Sequence, residues 1–213
     1  MKRYAAAGLV VIFLLVLFAC TSGDQERSKQ PPPAGGTASQ TAAPEHKGEA
    51  ITGRMAFQKM YVAARTWTPD AQGFRLESQP TDDATGVNGR SAVWRARFGS
   101  ASKNAAKPVM WSGSSDPGAP TAGLTTGGED SFNPSNSSTR PFDIAFLKSD
   151  SDTAFKVAME HGGKKILDKN PKTPVRYLLQ WDPQKNSLVW HVSIGSLRVA
   201  ANASTGEFIR VEK

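Results

Sequence analysis

The sequence predicts an α+β protein in which one pattern, a helix followed by antiparallel strands, occurs twice. Apolar residues recur at helical spacing in two separate segments, near residues 51–67 and 153–161. Each segment is followed by stretches in which apolar and polar residues alternate, with turn-forming residues between them. A chain of 213 residues is long enough for two small domains or for one domain of ordinary size.

Residues 1–19 are typical of a secretory signal peptide. Lys2 and Arg3 supply positive charge, and the 15 residues from Ala5 to Ala19 are uncharged and mostly apolar. A membrane-spanning helix needs about 20 apolar residues, whereas the apolar part of a signal peptide has about 7–15. The length of this segment therefore favours a signal peptide.

Cys20 is the only cysteine, and it follows directly after the apolar segment. The tetrapeptide Leu17-Phe18-Ala19-Cys20 resembles the lipobox of bacterial lipoproteins, although Phe18 departs from the small or β-branched residue usual there. The resemblance implies that lipoprotein-processing enzymes attach fatty acyl chains such as palmitate to Cys20, which becomes the mature N-terminus. Two or three acyl chains are sufficient for stable membrane anchoring. The alternative is an uncleaved anchor helix in which Cys20 has no role.

Residues 20–50 are expected to form a disordered tether between the lipid and the folded part. Residues 21–50 contain no aromatic or branched aliphatic side chain, and such a segment has nothing to bury. Neither Thr21 nor Ser22 is acidic. Gram-negative lipoproteins retained in the inner membrane carry an Asp just after the cysteine. By resemblance to those lipoproteins, the absence of an Asp after Cys20 favours anchoring to the outer membrane, with the protein facing the periplasm.

The second predicted folded unit is residues 142–213. Residues 149–152 supply an N-cap, Phe155, Ala158 and Met159 form an apolar face, and Gly162-Gly163 follow, which predicts a short amphipathic helix. Alternating residues then predict strands over 175–181, 188–194, 199–203 and 208–211.

Residues 51–112 repeat this order, with a helix over 51–67 and strands over 74–78, 94–98 and 109–111. Tyr61 precedes Trp94 by 33 residues and Phe155 precedes Trp190 by 35, which supports an internal duplication. Residues 113–141, rich in Gly, Ser and Pro, form the connection between the two units. A structureless connection of this length is an argument against one sheet shared by both halves.

The second unit resembles the PepSY domain. The resemblance is carried by Trp190-His191-Val192 in a strand and by residues 201–209, which contain a Thr205-Gly206 turn before the last hydrophobic strand. Asn202 stands where the family pattern has Asp. The resemblance covers residues 150–213, and the first unit matches in order and spacing only. It implies two PepSY-like units in tandem and a non-catalytic role in inhibiting or regulating a peptidase.

No catalytic, cofactor or metal-binding motif occurs in the sequence, and we therefore expect no enzyme activity, cofactor or metal. The three histidines, His46, His161 and His191, are too few and too scattered for a metal cluster. His161 is predicted to lie near a helix C-terminus and His191 to face solvent, away from Trp190. Two acidic pairs, Asp82-Asp83 and Asp150/Asp152, lack the spacing of a calcium loop and are predicted to serve in turns and N-caps. Trp94, Trp181 and Trp190 are predicted to fill the core.

The net charge of +7 is diffuse, with its densest basic patch at Lys164, Lys165 and residues 169–172. Such a patch can bind nucleic acid or anionic lipid. An exported, lipid-anchored chain rarely meets nucleic acid, and a solvated loop is the preferred interpretation.

Two hypotheses about function follow from these patterns. The first is a membrane-anchored module of the cell envelope that binds a protein or peptide. It predicts an unpaired edge strand or an open concave sheet face beside the helices, and no polar pocket. The second is a structural or assembly lipoprotein of an envelope complex, which predicts a large exposed apolar patch on the folded part.

Overall fold

The computed structural model describes residues 48–212 of the chain. The first half contains β1 (Ile51–Thr52), α1 (Gly53–Trp67), β2 (Gln72–Gln79), β3 (Arg90–Ser91), β4 (Val93–Ser100), β5 (Ala105–Ser112), β6 (Gly123–Thr126) and β7 (Asp130–Ser131). The second half contains α2 (Ser151–Ala158), α3 (Lys164–Lys169), β8 (Val175–Asp182), β9 (Ser187–Ile194), β10 (Leu197–Asn202) and β11 (Phe208–Glu212). The predicted α+β class is confirmed. The signal peptide, Cys20, His46 and most of the tether lie outside the described residues.

The strands β1 and β3 pair with each other in a small two-stranded sheet. The other strands of both halves form one antiparallel sheet in the order β11-β10-β9-β8-β2-β4-β5-β6, with β7 also pairing with β5. The halves meet where β2 pairs with β8, with Leu76 opposite Leu179. The expectation that the connection keeps the halves in separate sheets is therefore wrong. The connection separates the halves in sequence but does not lie between them in space. Its strands β6 and β7 pair with β5, at the edge of the sheet farthest from the second half. In separate sheets, β2 and β8 would each be an edge with unpaired backbone groups.

The segment that follows α2 differs from the prediction. The helix was expected to continue to Gly162-Gly163, but α2 ends at Ala158 and a wide π-type turn spans Met159–Gly163 before α3 begins. Gly162 has φ of 114°, a conformation that glycine adopts without steric cost. The glycines therefore interrupt the helix without ending the helical segment. The strands predicted from the sequence correspond to β2, β4, β5 and β8–β11.

The core lies between the helices and one face of the sheet, and it is continuous across both halves. Trp94, Trp190 and Tyr177 are fully buried in it, as is Phe57 of α1. Trp181, predicted to be in the core, is half-buried at the periphery, where Arg140 lies 4.8 Å above its ring. Cation–π contacts of this kind suit an aromatic residue that is partly exposed.

Trp94 and Trp190 occupy matching positions in the two halves. Their rings meet edge to face with centroids 6.4 Å apart. The Trp94 indole N–H donates to the carbonyl of Ile51, two residues before α1, and Trp190 donates to that of Ser149, two residues before α2. In this correspondence the partner of Phe155 is not Tyr61, because Phe155 is the fifth residue of its helix and Tyr61 is the ninth. The matching contacts agree with a duplication but leave the PepSY assignment a prediction.

The N-termini of α1 and α2 meet above this tryptophan pair. The Asp150 carboxylate accepts hydrogen bonds from the N–H of Ser151 at the start of α2 and from the N–H of Arg54 in α1. The Ser151 hydroxyl accepts from the N–H of Gly53 and donates to the carbonyl of Gly89. The first N–H groups of a helix have no partner within the helix, and a carboxylate there also interacts favourably with the helix dipole. One dipeptide therefore caps both helices.

We expect Asp150→Ala to lower the free energy of unfolding by about 1–4 kcal/mol, because it removes the cap of two helices and each N-cap contributes about 0.5–2 kcal/mol. Urea unfolding followed by tryptophan fluorescence measures the change. Asp150→Asn is the matched control, since its side-chain oxygen still accepts hydrogen bonds and Asn caps helices about as well as Asp. An equal loss of stability in both variants would contradict the shared cap.

Candidate functional site

The sheet has a second face that no helix covers in the described part of the chain. Because side chains alternate along a strand, residues between the core positions point to this side. We call it the open face. Its members on the central strands are mostly charged or polar: Arg75, Glu77, Arg95, Arg97, Met110, Arg176, Leu178, Gln180, His191 and Arg198.

A groove of about 670 Å³ crosses the open face over β2, β4 and β5. Arg75 forms an ion pair with Glu77 at 2.9 Å, and Arg97 forms one with Asp130 at 2.7 Å. Arg95 lies directly opposite Glu77 on β2, two residues before Arg97 on β4. Arg95 is exposed and has no carboxylate within 4.0 Å among residues 48–212.

A second depression, of about 380 Å³, continues from the groove toward β8. It shares Arg95 and Glu77 with the groove, and Arg176 forms its other side. Arg176 is exposed, and it too lacks an acidic partner in the part of the chain that the structure describes. The two depressions together carry four arginines and two carboxylates, so the expectation of a binding module without a polar pocket is wrong.

The β9–β11 end of the open face is covered by a charged network. His191, 5 % exposed, contacts the Glu212 carboxylate through Nδ1 at 2.9 Å. Arg198 and Arg210 also pair with Glu212, and Arg210 reaches Asp182 at 3.1 Å. Because a carboxylate only accepts hydrogen bonds, the proton of neutral His191 is assigned to Nδ1. Nε2 is buried and has no partner among the described residues.

Burial and the neighbouring charges change the ionisation of this pair. Burial lowers the pKa of His191 below its ordinary value, and the hydrogen bond and charge of Glu212 only partly oppose this. Burial raises the pKa of Glu212. The hydrogen bond from His191 and the neighbouring positive charges lower this pKa by more than burial raises it, so the net shift is downward. The prediction that His191 faces solvent is therefore wrong. It does point away from Trp190, but the long side chains of β10 and β11 cover it.

The other residues singled out in the sequence have structural roles. His161 lies in the π-type turn, near the C-terminus of α2 as predicted, and its ring stacks on Phe208 with centroids 3.6 Å apart. Asp83 accepts hydrogen bonds from Ser114 and Ser115, which joins two loops. Asp150 is the N-cap, as predicted. Within residues 48–212, no group of three or more His, Cys, Asp or Glu side chains is placed to hold a metal ion.

The basic patch is exposed and lies on α3 and the turn after it. Lys164 forms a 2.6 Å ion pair with Asp168 one helical turn away, and Lys165 and Lys169 are exposed. An exposed i,i+4 pair of this kind contributes about 0.3–0.5 kcal/mol. The patch is therefore exposed to solvent as expected, but the expectation of a loop is wrong for the lysines that lie on α3.

The arginines of the open face were missed from the sequence. Arg75, Arg95 and Arg97 all occupy polar positions of predicted alternating strands, which are normally solvent-facing. The alternation of each strand indicates which way its arginines point. Whether the arginines of different strands lie side by side depends on the pairing of β2 with both β4 and β8.

Comparisons with known proteins give little. No family model matches the chain, and no curated protein resembles it in sequence. One solved structure is similar, that of a Clostridium difficile 630 protein described only provisionally as a lipoprotein. It shares 11% identity over 78% of this chain and 96% of its own, with a TM-score of 0.49. No helix within residues 48–212 is both long and apolar enough to cross a membrane.

We expect the free energy of unfolding to fall as pH drops from 6.5 toward 4.5, the ordinary pKa values of His and Glu. The pKa of His191 is lowered in the folded state, so in this window the unfolded chain binds a proton that the folded chain does not. His191→Asn keeps a donor to Glu212 and should flatten the dependence, as measured by urea unfolding at several pH values. His161→Asn is the control, and a flattening in that variant instead would contradict the assignment.

Proposed function

We propose that this protein is a membrane-anchored lipoprotein of the bacterial cell envelope that acts as a non-catalytic binding module, with the open face as its binding surface. The observation that carries the proposal is this face, where the groove and the adjoining depression present two arginines, Arg95 and Arg176, that have no acidic partner among the described residues. Unpaired guanidinium groups on a sheet surface are suited to recognising a charged partner.

The anchor is supported by the position of the single cysteine. Cys20 follows an apolar segment of signal-peptide length, and the lipobox-like sequence makes it the site of acylation. Outer-membrane anchoring, with the folded part facing the periplasm, is the finer part of this proposal and is supported by the residues after Cys20.

A binding role is supported over hydrolysis by the surroundings of the histidines. His191 is held by Glu212, and its Nε2 contacts no hydroxyl group within residues 48–212. His161 is stacked on an aromatic ring. A hydrolase of the serine or cysteine type needs a nucleophile within hydrogen-bond reach of its base. A peptidase as the partner is supported by the PepSY resemblance alone.

The alternative role in assembly predicts a large exposed apolar patch. The exposed large hydrophobic side chains of the described residues are scattered over separate elements: Met55 and Val62 on α1, Leu124 on β6, Phe146 before α2, and Phe208 and Val211 on β11. Single exposed apolar residues are normal on monomeric proteins. This distribution favours the binding module.

The anchor is tested by labelling cells with a clickable palmitate analogue. We expect the native protein to be labelled and Cys20→Ala to be unlabelled and unprocessed, because the variant has no thiol to acylate. An immunoblot that detects both the mature and the precursor sizes controls for expression of the two proteins. Equal label in both proteins would disprove acylation at Cys20.

The binding face is tested by placing a photo-crosslinking residue at Thr125, which lines the groove, or at the exposed Val62 of α1. We expect a single adduct with one envelope protein from Thr125 and none from Val62. Co-expression of the unlabelled chain should reduce that adduct, because both copies compete for one partner. Adducts from Val62 alone would place the binding surface on the helices.

A further inference from the structure

The geometry points to the class of ligand that the groove takes: an extended peptide segment bearing spaced carboxylates. The site comprises Arg75, Arg95, Arg97 and Arg176, with Glu77 and Asp130 between and beside them. This inference rests on the proposed function and adds the chemistry of the partner.

The first argument is the imbalance of charge. Glu77 and Asp130 each neutralise one arginine, Arg75 and Arg97 respectively. Arg95 and Arg176 remain without acidic partners among the described residues, in contrast to Arg198 and Arg210 on the same face, which pair with Glu212. The surplus of positive charge is therefore confined to the groove and the depression beside it.

The second argument is the strand register. Arg75 on β2 lies directly opposite Arg97 on β4, and like charges in such positions repel each other. The Nε of Arg97 is buried and has no partner in the described residues. Glu77 and Asp130 each offset one of these charges, and a carboxylate bound at the accessible guanidinium nitrogens would offset more of the repulsion.

The third argument concerns the kind of anion. The carboxylates of Glu77 and Asp130 lie within the groove and would repel a continuous polyanion such as a nucleic acid. A peptide can place its acidic residues beside the arginines and small residues beside the carboxylates. Pro108 and Met110 provide apolar surface along the same groove, which suits peptide side chains. The observations thus favour an acidic peptide over a nucleic acid.

The test uses the full-length protein, purified from membranes in a neutral detergent. Fluorescence anisotropy is measured with a fluorescein-labelled octapeptide of alternating Glu and Gly, with the same peptide carrying Gln in place of Glu, and with a labelled single-stranded oligonucleotide. At low ionic strength we expect the protein to bind the Glu peptide but neither the Gln peptide nor the oligonucleotide. The affinity for the Glu peptide should fall as salt is added.

The double variant Arg95→Ser/Arg176→Ser should bind the Glu peptide at least about tenfold more weakly, because charge-assisted hydrogen bonds to both arginines are lost. The matched control, Lys59→Ser/Arg65→Ser, removes two cations from α1 and should stay within about twofold of the native protein. Circular dichroism checks that both double variants are folded.

No binding of the Glu peptide, or an equal loss in the control, would overturn the inference. Tighter binding of the oligonucleotide that depends on Arg95 and Arg176 would overturn it in favour of a polyanion. The crosslinking experiment separates this failure from failure of the proposed function. An adduct from Thr125 without peptide binding leaves the binding face in place and removes only the acidic ligand.

Discussion

The fold depends on the point where the N-termini of α1 and α2 are buried against each other. Asp150 and Ser151 supply hydrogen-bond acceptors to N–H groups of both helices there. A buried polar group without a partner costs about 1–3 kcal/mol, so the helices can approach this closely only with these side chains in place. Gly53 meets a second requirement, since a Cβ at this position would lie 2.6 Å from the Trp190 ring.

This junction and the β2–β8 pairing together create the open face. They place both helices on the same side of one sheet, and the other side stays uncovered by helices across the described residues. The two ends of that face then differ. Carboxylates neutralise the arginines and cover His191 at the β9–β11 end, whereas the β2–β4 end keeps a surplus of positive charge. The difference is what makes one end a candidate binding site.

The sequence predicted most of the strands and the caps but not how they assemble. Alternation in residues 175–181 and the N-cap at Asp150 depend on neighbours a few residues away, and both were predicted. The interruption after Ala158 was missed, because one glycine with positive φ changes the direction of the chain without excluding a further helical turn. His191 was expected in solvent because alternation shows which way a side chain points but not what covers it. The arginines of the candidate site were passed over because each, taken alone, resembles an ordinary solvent-facing residue.

By itself, the sequence determined the α+β class, the repeated helix–strand order and the expectation of a lipid-anchored chain. These properties are encoded by local composition and periodicity, in which each residue is judged against its near neighbours. Only the tertiary structure decided that the halves share one sheet, that one dipeptide caps both helices and that four arginines converge on one face. The paired strands β2 and β8 lie about a hundred residues apart in the chain. Contacts over that distance depend on the packing of the whole core, which no local pattern records.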